Sequence, residues 1–175
     1  MLLSEPFLTD PYFKRAAILL CEHNDEGSFG FVLNNYLDIS LDQIMNGLPE
    51  LSTRVSAGGP VNSSNLYYLH TLGDFIIDSK EIAKGIYLGG DFEHLKEEIA
   101  KGNVGSNQVR FFVGYSGWSA NQLEEEMTQN SWYVAEAKPE IVMNIKSDNL
   151  WAEFLESMGP KYAKMIDLPI DPNLN

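Results

Sequence analysis

Apolar and polar positions alternate along this chain in short blocks. Ala16-Ala17-Ile18-Leu19-Leu20-Cys21 and Phe29-Gly30-Phe31-Val32-Leu33 are compact apolar runs of the make-up that buried strands carry. Between them stands Asn24-Asp25-Glu26-Gly27, dense in turn-forming residues, so the pattern predicts a hairpin. Gly30 inside the second run predicts a bulge or a close backbone approach. Leu2 to Asp10 is apolar but broken by Pro6, which predicts an edge strand at best. Thr53–Ala57, Leu66–His70, Phe75–Asp78 and Gly85–Leu88 read as further short strands, with Leu66–His70 paired to Phe75–Asp78 around Thr71-Leu72-Gly73-Asp74.

Helical spacing is confined to a few short segments. Leu41, Ile44, Met45 and Leu48 follow Ser40, which with Gln43 fits a capping box, and Gly47 with Pro49 ends that helix. Asp91 caps a second helix that carries Phe92, Leu95 and Ile99 on one face, has Glu97 and Lys101 as an i,i+4 pair, and stops at Gly102. A third, from about Asn149 to Met158 with Asp148 as its cap, carries Leu150, Trp151, Phe154 and Leu155 and ends at Gly159-Pro160. Lys161 to Ile166 adds one more turn, and residues 167–175, with two prolines, read as an extended tail.

The densest pattern runs from Val109 to Trp132. Val109-Arg110-Phe111-Phe112-Val113 reads as a buried strand, and Gly114 and Gly117 bracket a bend that a Cβ would obstruct. Ser119 and Gln122 fit a second capping box, Leu123 and Met127 form an inward stripe, and Asn130 is a left-handed stop before a further strand at Trp132. Strands outnumber helices and come in hairpin groups, which predicts an α+β fold with a mixed, mostly antiparallel sheet flanked by a few short helices. No repeat, low-complexity tract or linker divides the chain, so residues 1–175 are expected to form a single domain.

Composition narrows the function classes. Twelve basic against twenty-five acidic residues give a net charge of -13. No basic run exceeds Lys14-Arg15, so direct binding to nucleic acid or anionic lipid is disfavoured. The longest apolar run, Ala16 to Cys21, is far shorter than the ~20 residues that span a bilayer. One cysteine excludes an internal disulfide framework, and Ser4-Glu5-Pro6 follows Met1-Leu2-Leu3 with no basic or signal-peptide character. The expectation is a cytoplasmic protein with no membrane segment.

Three stretches, taken together and in order, carry a family resemblance. They are Cys21-Glu22-His23-Asn24 with Gly27, Gly30 and Asn34; Gly58-Gly59-Pro60-Val61; and Gly114-Tyr115 with Gly117-Trp118, Gln122-Leu123-Glu124, Glu126, Asn130 and Trp132. The chain resembles the AlgH/YqgE family of bacterial proteins over about Leu3 to Met158. The resemblance implies a bifurcated sheet closing into a pseudo-barrel. Members of this family are often named transcriptional regulators, a label of genetic origin, and the resemblance brings no established catalytic set. The sequence departs from the usual pattern at Asn35-Tyr36, where Arg-Pro is common, at Ser116, where Ala is common, and at Asn121, where Gly is common. The first change puts an anion-binding role for that loop in doubt.

Candidate chemistry is sparse. Cys21 and His23 share a strand face, yet no further ligands stand at metal-binding spacing, and a lone cysteine is ordinarily core. Ser116 falls short of a nucleophile elbow because Trp118 stands where the motif needs glycine. Gly58-Gly59-Pro60 lacks the Lys-Ser or Lys-Thr ending of a phosphate loop and reads as a tight strand exit. Glu124-Glu125-Glu126 reads as an acidic first turn that complements a helix dipole. Trp118 and Trp132 sit beside a turn or helix end, where core packing outweighs recognition.

The expected surface for a ligand or partner therefore comprises Glu22, His23, Asn34, Gly58, Gly59, Pro60, Tyr115, Trp118, Gln122 and Glu124, with no catalytic residue, metal or cofactor. The expected function is a regulatory, non-enzymatic protein acting through another protein. The alternative is a small-ligand-binding or hydrolytic protein with its site near Cys21-His23 and Gly58-Gly59-Pro60.

Overall fold

A computed structural model describes residues 1–45, 47–48 and 51–169. The expected helix stop at Pro49 and most of the expected tail lie outside the described residues. Among the described residues nine strands form one sheet: β1 Leu2–Ser4, β2 Ala17–Asn24, β3 Gly27–Val32, β4 Val55–Ala57, β5 Val61–His70, β6 Lys80–Ala83, β7 Ile86–Leu88, β8 Val109–Ser119 and β9 Trp132–Val134. The helices are α1 Leu41–Ile44, α2 Phe92–Ala100, α3 Gln122–Thr128, α4 Pro139–Val142, α5 Leu150–Ser157 and α6 Pro160–Ala163. The sheet runs β6-β7-β5-β8-β3-β2-β1-β9, with β4 beside β8. It is an α+β fold with a curled, largely antiparallel sheet, a half-barrel, flanked by short helices.

The fork in the sheet lies on β8. Its first half, Phe111 to Val113, pairs in parallel with β4, whereas Ser116 to Ser119 pairs antiparallel with β3. Gly114 stands between the two halves at φ +68°, a left-handed turn of the strand that glycine adopts without steric cost. Gly58 fills the crotch: its N–H donates to the Val113 carbonyl at 2.9 Å, and its own carbonyl accepts from the Val32 N–H at 2.9 Å. A Cβ on Gly58 would lie 2.3 Å from the Gly114 carbonyl oxygen, and one on Gly59 would lie 2.4 Å from the Ser116 nitrogen. The signature glycines are thus where three strands cross at closest approach.

Two layers of side chains follow from the curl. Leu19, Phe31, Leu69 and Phe112 share one side, where Leu150, Trp151, Phe154 and Leu155 of α5 pack against them. Val55, Tyr68, Val109 and Phe111 share another and are covered by Leu41 of α1 and by Leu95 and Ile99 of α2. Buried at 0% exposure, His70 accepts from the Leu72 N–H at Nδ1, 3.2 Å, and its Nε2 lies 3.0 Å from the Gly89 carbonyl. Burial holds its pKa below the ordinary 6.5, the Gly89 hydrogen bond opposing in part. Arg110 is also fully enclosed; its guanidinium reaches the carbonyls of Val142 and Leu33 and the Tyr36 hydroxyl rather than a carboxylate.

Several expectations need correction. β1 is an interior strand, paired to β2 on one side and to β9 on the other, because Pro6 falls past its last residue. Phe75–Asp78 is not a strand: Gly73 at φ +60° opens a 3₁₀ turn at Gly73–Phe75, and β5 pairs with β7 and β8 instead. The bend expected between Gly114 and Gly117 falls at Gly114 alone, and β8 continues through it to Ser119. Asn149, not Asp148, caps α5, accepting from the Ala152 N–H at 3.2 Å, while Asp148 pairs with Arg54 at 2.8 Å. The capping box at Ser40 and Gln43 stands as read, and Asn130 takes φ +57°.

Candidate functional site

The half-barrel is packed by α5 at one side and opens at the end where β2, β3, β5 and β8 carry the signature stretches. An open groove of about 610 Å³ lies there. Its walls include Glu22 and Asn24 of β2, Phe29 of β3, Val61, Asn62 and Tyr67 of β5, and Tyr115 of β8. Strand alternation explains the set, because Glu22 and Phe29 are cross-strand partners and side chains opposite each other share a face. Phe29 and Tyr115 meet edge-on at 5.9 Å, and Tyr115 meets Tyr67 at 5.9 Å. Phe31, in contact with both Phe29 and Tyr67, continues the aromatic cluster into the core.

Charge at this mouth is acidic and partly answered. Lys80, at the start of β6, reaches across the curl to Glu22 with a separation of 2.9 Å. The Lys80 hydrogen bond and charge hold the Glu22 carboxyl below the usual carboxylate range. Beneath it, burial pushes the Cys21 thiol up to about 12, with Lys80 and the N-terminal amine pulling weakly the other way. Its Sγ lies 3.6 Å from the Leu19 carbonyl.

The strand end of β8 leads into a second aromatic group on the opposite sheet face. Trp118 and Trp132 meet at 6.1 Å and 82°, with Phe13 stacked near the first and edge-on to the second. Both indoles donate to one oxygen of Glu126, at 2.9 and 2.7 Å. Gln122 donates to the other carboxylate oxygen at 3.1 Å and accepts from the Ser119 N–H at 3.0 Å.

The AlgH-like family model matches residues 1–163. The chain belongs to the AlgH-like family. A UPF0301 protein of Chlorobaculum tepidum is 39% identical over all of this chain and 94% of its own length. Another from Cytophaga hutchinsonii is 40% identical, over all of this chain and 97% of its own. The solution structure of the AlgH protein from Pseudomonas aeruginosa superposes with a TM-score of 0.74 at 25% identity, covering 96% of this chain and 92% of that one. A crystal structure of a Corynebacterium diphtheriae protein shares the fold with a TM-score of 0.82 at 22% identity, over 95% and 90% of the two chains.

Within this AlgH-like chain the expected surface residues separate into three places. Glu22 and Tyr115 come together at the mouth, and Trp118 is among the residues that line it. His23, Gln122 and Glu124 lie toward α3: His23 Nδ1 is 2.7 Å from the Ser28 hydroxyl, and its Nε2 is 3.6 Å from Glu124. Gly58 and Gly59 are buried in the fork, with Pro60 exposed beside them. Asn34 lies apart; its Oδ1 accepts from the Ala17 N–H at 2.9 Å and its Nδ2 donates to the Arg15 carbonyl at 2.8 Å, bracing β2 against β3. The Trp118 ring is 5% exposed and belongs to the core. Ser116 is fully buried and donates to the Gly58 carbonyl at 3.0 Å.

Phe29, Tyr67, Val61 and Asn62 line the mouth without having stood out in the sequence. Phe29 and Tyr67 sit in strand runs where an aromatic residue is ordinarily core, and only the bulge in β5 shows where the strand leaves the sheet. That bulge falls between Val61, opposite Tyr115, and Leu66, opposite Val113. Among the described residues no cluster of three or more metal-ligating side chains occurs, and no helix is long and apolar enough to cross a membrane.

Proposed function

We propose that this chain is a non-enzymatic, regulatory binding protein that acts through a protein partner seated at the mouth of the half-barrel. One observation carries the reading: Phe29, Tyr67 and Tyr115 converge on an open groove rimmed by carboxylates and amides. Aromatic anchors with a polar rim are the usual anatomy of a protein-binding patch. Two candidate nucleophiles are closed off from it: Cys21 is enclosed with its pKa raised, and Ser116 is locked in the fork.

A photo-crosslinking side chain introduced at Asn62 or Glu26, with Ser157 on α5 as the remote control, tests this in the native cell. The expected result is one polypeptide captured from both rim positions and not from Ser157, with capture lost in Tyr115→Ala. Capture of nothing from the rim, or of the same species from Ser157, overturns it. The groove's volume supports a second reading, since small-molecule pockets span roughly 300–1,000 Å³. A compound that raises the melting temperature of wild type and not of Tyr115→Ala would favour that reading.

A further inference from the structure

We infer that the mouth receives an arginine or lysine side chain presented on an extended segment of the partner, in the place that Lys80 now holds against Glu22. The inference rests on the reading of the mouth as a protein-docking site and names what that site recognises. Its chemistry is that of a cation receptor. Phe29, Tyr67 and Tyr115 present ring faces and edges to a carboxylate-rimmed groove, and the negative face of an aromatic ring attracts a guanidinium or ammonium group. A cation already sits at this rim. The Lys80 ammonium lies 2.9 Å from Glu22 with its side chain 65% exposed, so it is held by one contact that water and a competitor can reach. Glu26, also lining the groove, has no ion-pair partner among the described residues. A net charge of -13 steers a basic segment toward the surface as a whole.

The backbone supplies the reason for an extended segment. Between Val61 opposite Tyr115 and Leu66 opposite Val113, the four residues Asn62 to Asn65 face the single residue Gly114, so they bulge out of the ladder. All four are exposed. An exposed stretch of backbone at a sheet margin is where an extended peptide adds, which fixes the chain while pockets read its side chains. Asn62 lies both in this bulge and in the groove wall, so a strand laid along it delivers a side chain to the rings.

A capped pentapeptide with arginine at its centre, and its citrulline counterpart that keeps the shape without the charge, test the proposal by calorimetry and amide chemical shifts. The arginine peptide is expected to bind about tenfold more tightly than the citrulline one, with shifts centred on Asn62 to Asn65. Lys80→Gln is expected to tighten it a few-fold by removing the internal competitor, and Glu22→Gln with Glu26→Gln to weaken it about tenfold. Equal binding of the two peptides, or of neither, overturns cation recognition. Displacement of the arginine peptide by an equal concentration of spermidine overturns the choice of a polypeptide in favour of a free polyamine. Crosslinking from Asn62 separates the two levels. If it persists when the peptides bind alike, the docking reading survives, and if it too is absent, both fall.

Discussion

Two aromatic clusters, on opposite faces of the same strand end, use similar residues to opposite ends. At the tryptophan corner, Trp118 and Trp132 are 5% and 4% exposed, and one Glu126 oxygen accepts from both indoles. Gln122 occupies the other oxygen and ties the cluster to the start of α3. At the mouth, Phe29, Tyr67 and Tyr115 are only half-buried, and the neighbouring Glu22 is answered only at the surface, by the exposed Lys80 at 2.9 Å and by the exposed Asn24 amide at 3.1 Å. Both carboxylates are answered from within the chain, and an aromatic–carboxylate group is structural where the rings and those contacts are covered. It is available for recognition where they lie open to water. The type of residue does not decide this; closure does.

The largest effect is expected at the closed cluster. Glu126→Ala leaves two buried indole N–H groups without an acceptor and is expected to cost about 3 kcal/mol in urea unfolding. Glu126→Gln, which keeps one acceptor oxygen, should cost about 1 kcal/mol. Near-equal losses for the two variants would show that the carboxylate is not the keystone of that corner. Openness of the mouth is expected to stop above Cys21. With the thiol pushed up to about 12, its alkylation at pH 8 should be at least about a hundredfold slower in native protein than in denaturant. Rapid native labelling would mean that the groove reaches through to the half-barrel interior.

Smaller effects sharpen the contrast. Tyr115→Ala at the mouth should lower stability by about 1–2 kcal/mol, less than the loss at the corner, since part of its ring is already in water. Enclosure also predicts a pH response at His70. Its folded pKa lies below the ordinary 6.5, so as pH falls below that value the unfolded chain binds the proton first. Stability from neutral His70 is therefore present above about 6.5 and lost on acidification, and His70→Gln should flatten the urea midpoint between pH 7.5 and 5.5. The smallest change belongs to the exposed strap between the hairpin and α3. Glu124→Gln should alter stability by less than about 0.5 kcal/mol, because both partners at 3.6 Å are half-exposed.

The hairpin of β2 and β3 was legible because its turn and apolar runs are contiguous, and so were α2, the Ser40 cap and the Asn130 stop. The site was legible only in part. Glu22 and Tyr115 belong to recognisable stretches, but Phe29 and Tyr67 look like any core aromatic until the curl places them at an opening. Trp118 illustrates the converse. Its place beside a turn put it on the expected surface although core packing outweighed recognition, and the pleat does turn it inward, toward Phe13, Trp132 and Glu126. Phe75-Ile76-Ile77 misleads in a different way: it has strand-like character, yet Phe75 and Ile77 lie 49% and 56% exposed, in and just after the turn opened by Gly73.

By itself the sequence determined what depends on neighbouring residues: strand and helix types, caps, turns, the acidic balance and the family. Local sterics and hydrogen bonds act within a few residues, so their signals are contiguous. Only the tertiary structure decided that β8 exchanges β4 for β3 at Gly114, that Gly58 wedges the fork, and that Lys80 meets Glu22 across the curl. Those outcomes come from pairing energies between segments far apart in the chain, where a one-residue change of register reverses which side chains face inward. The mouth exists because of that register.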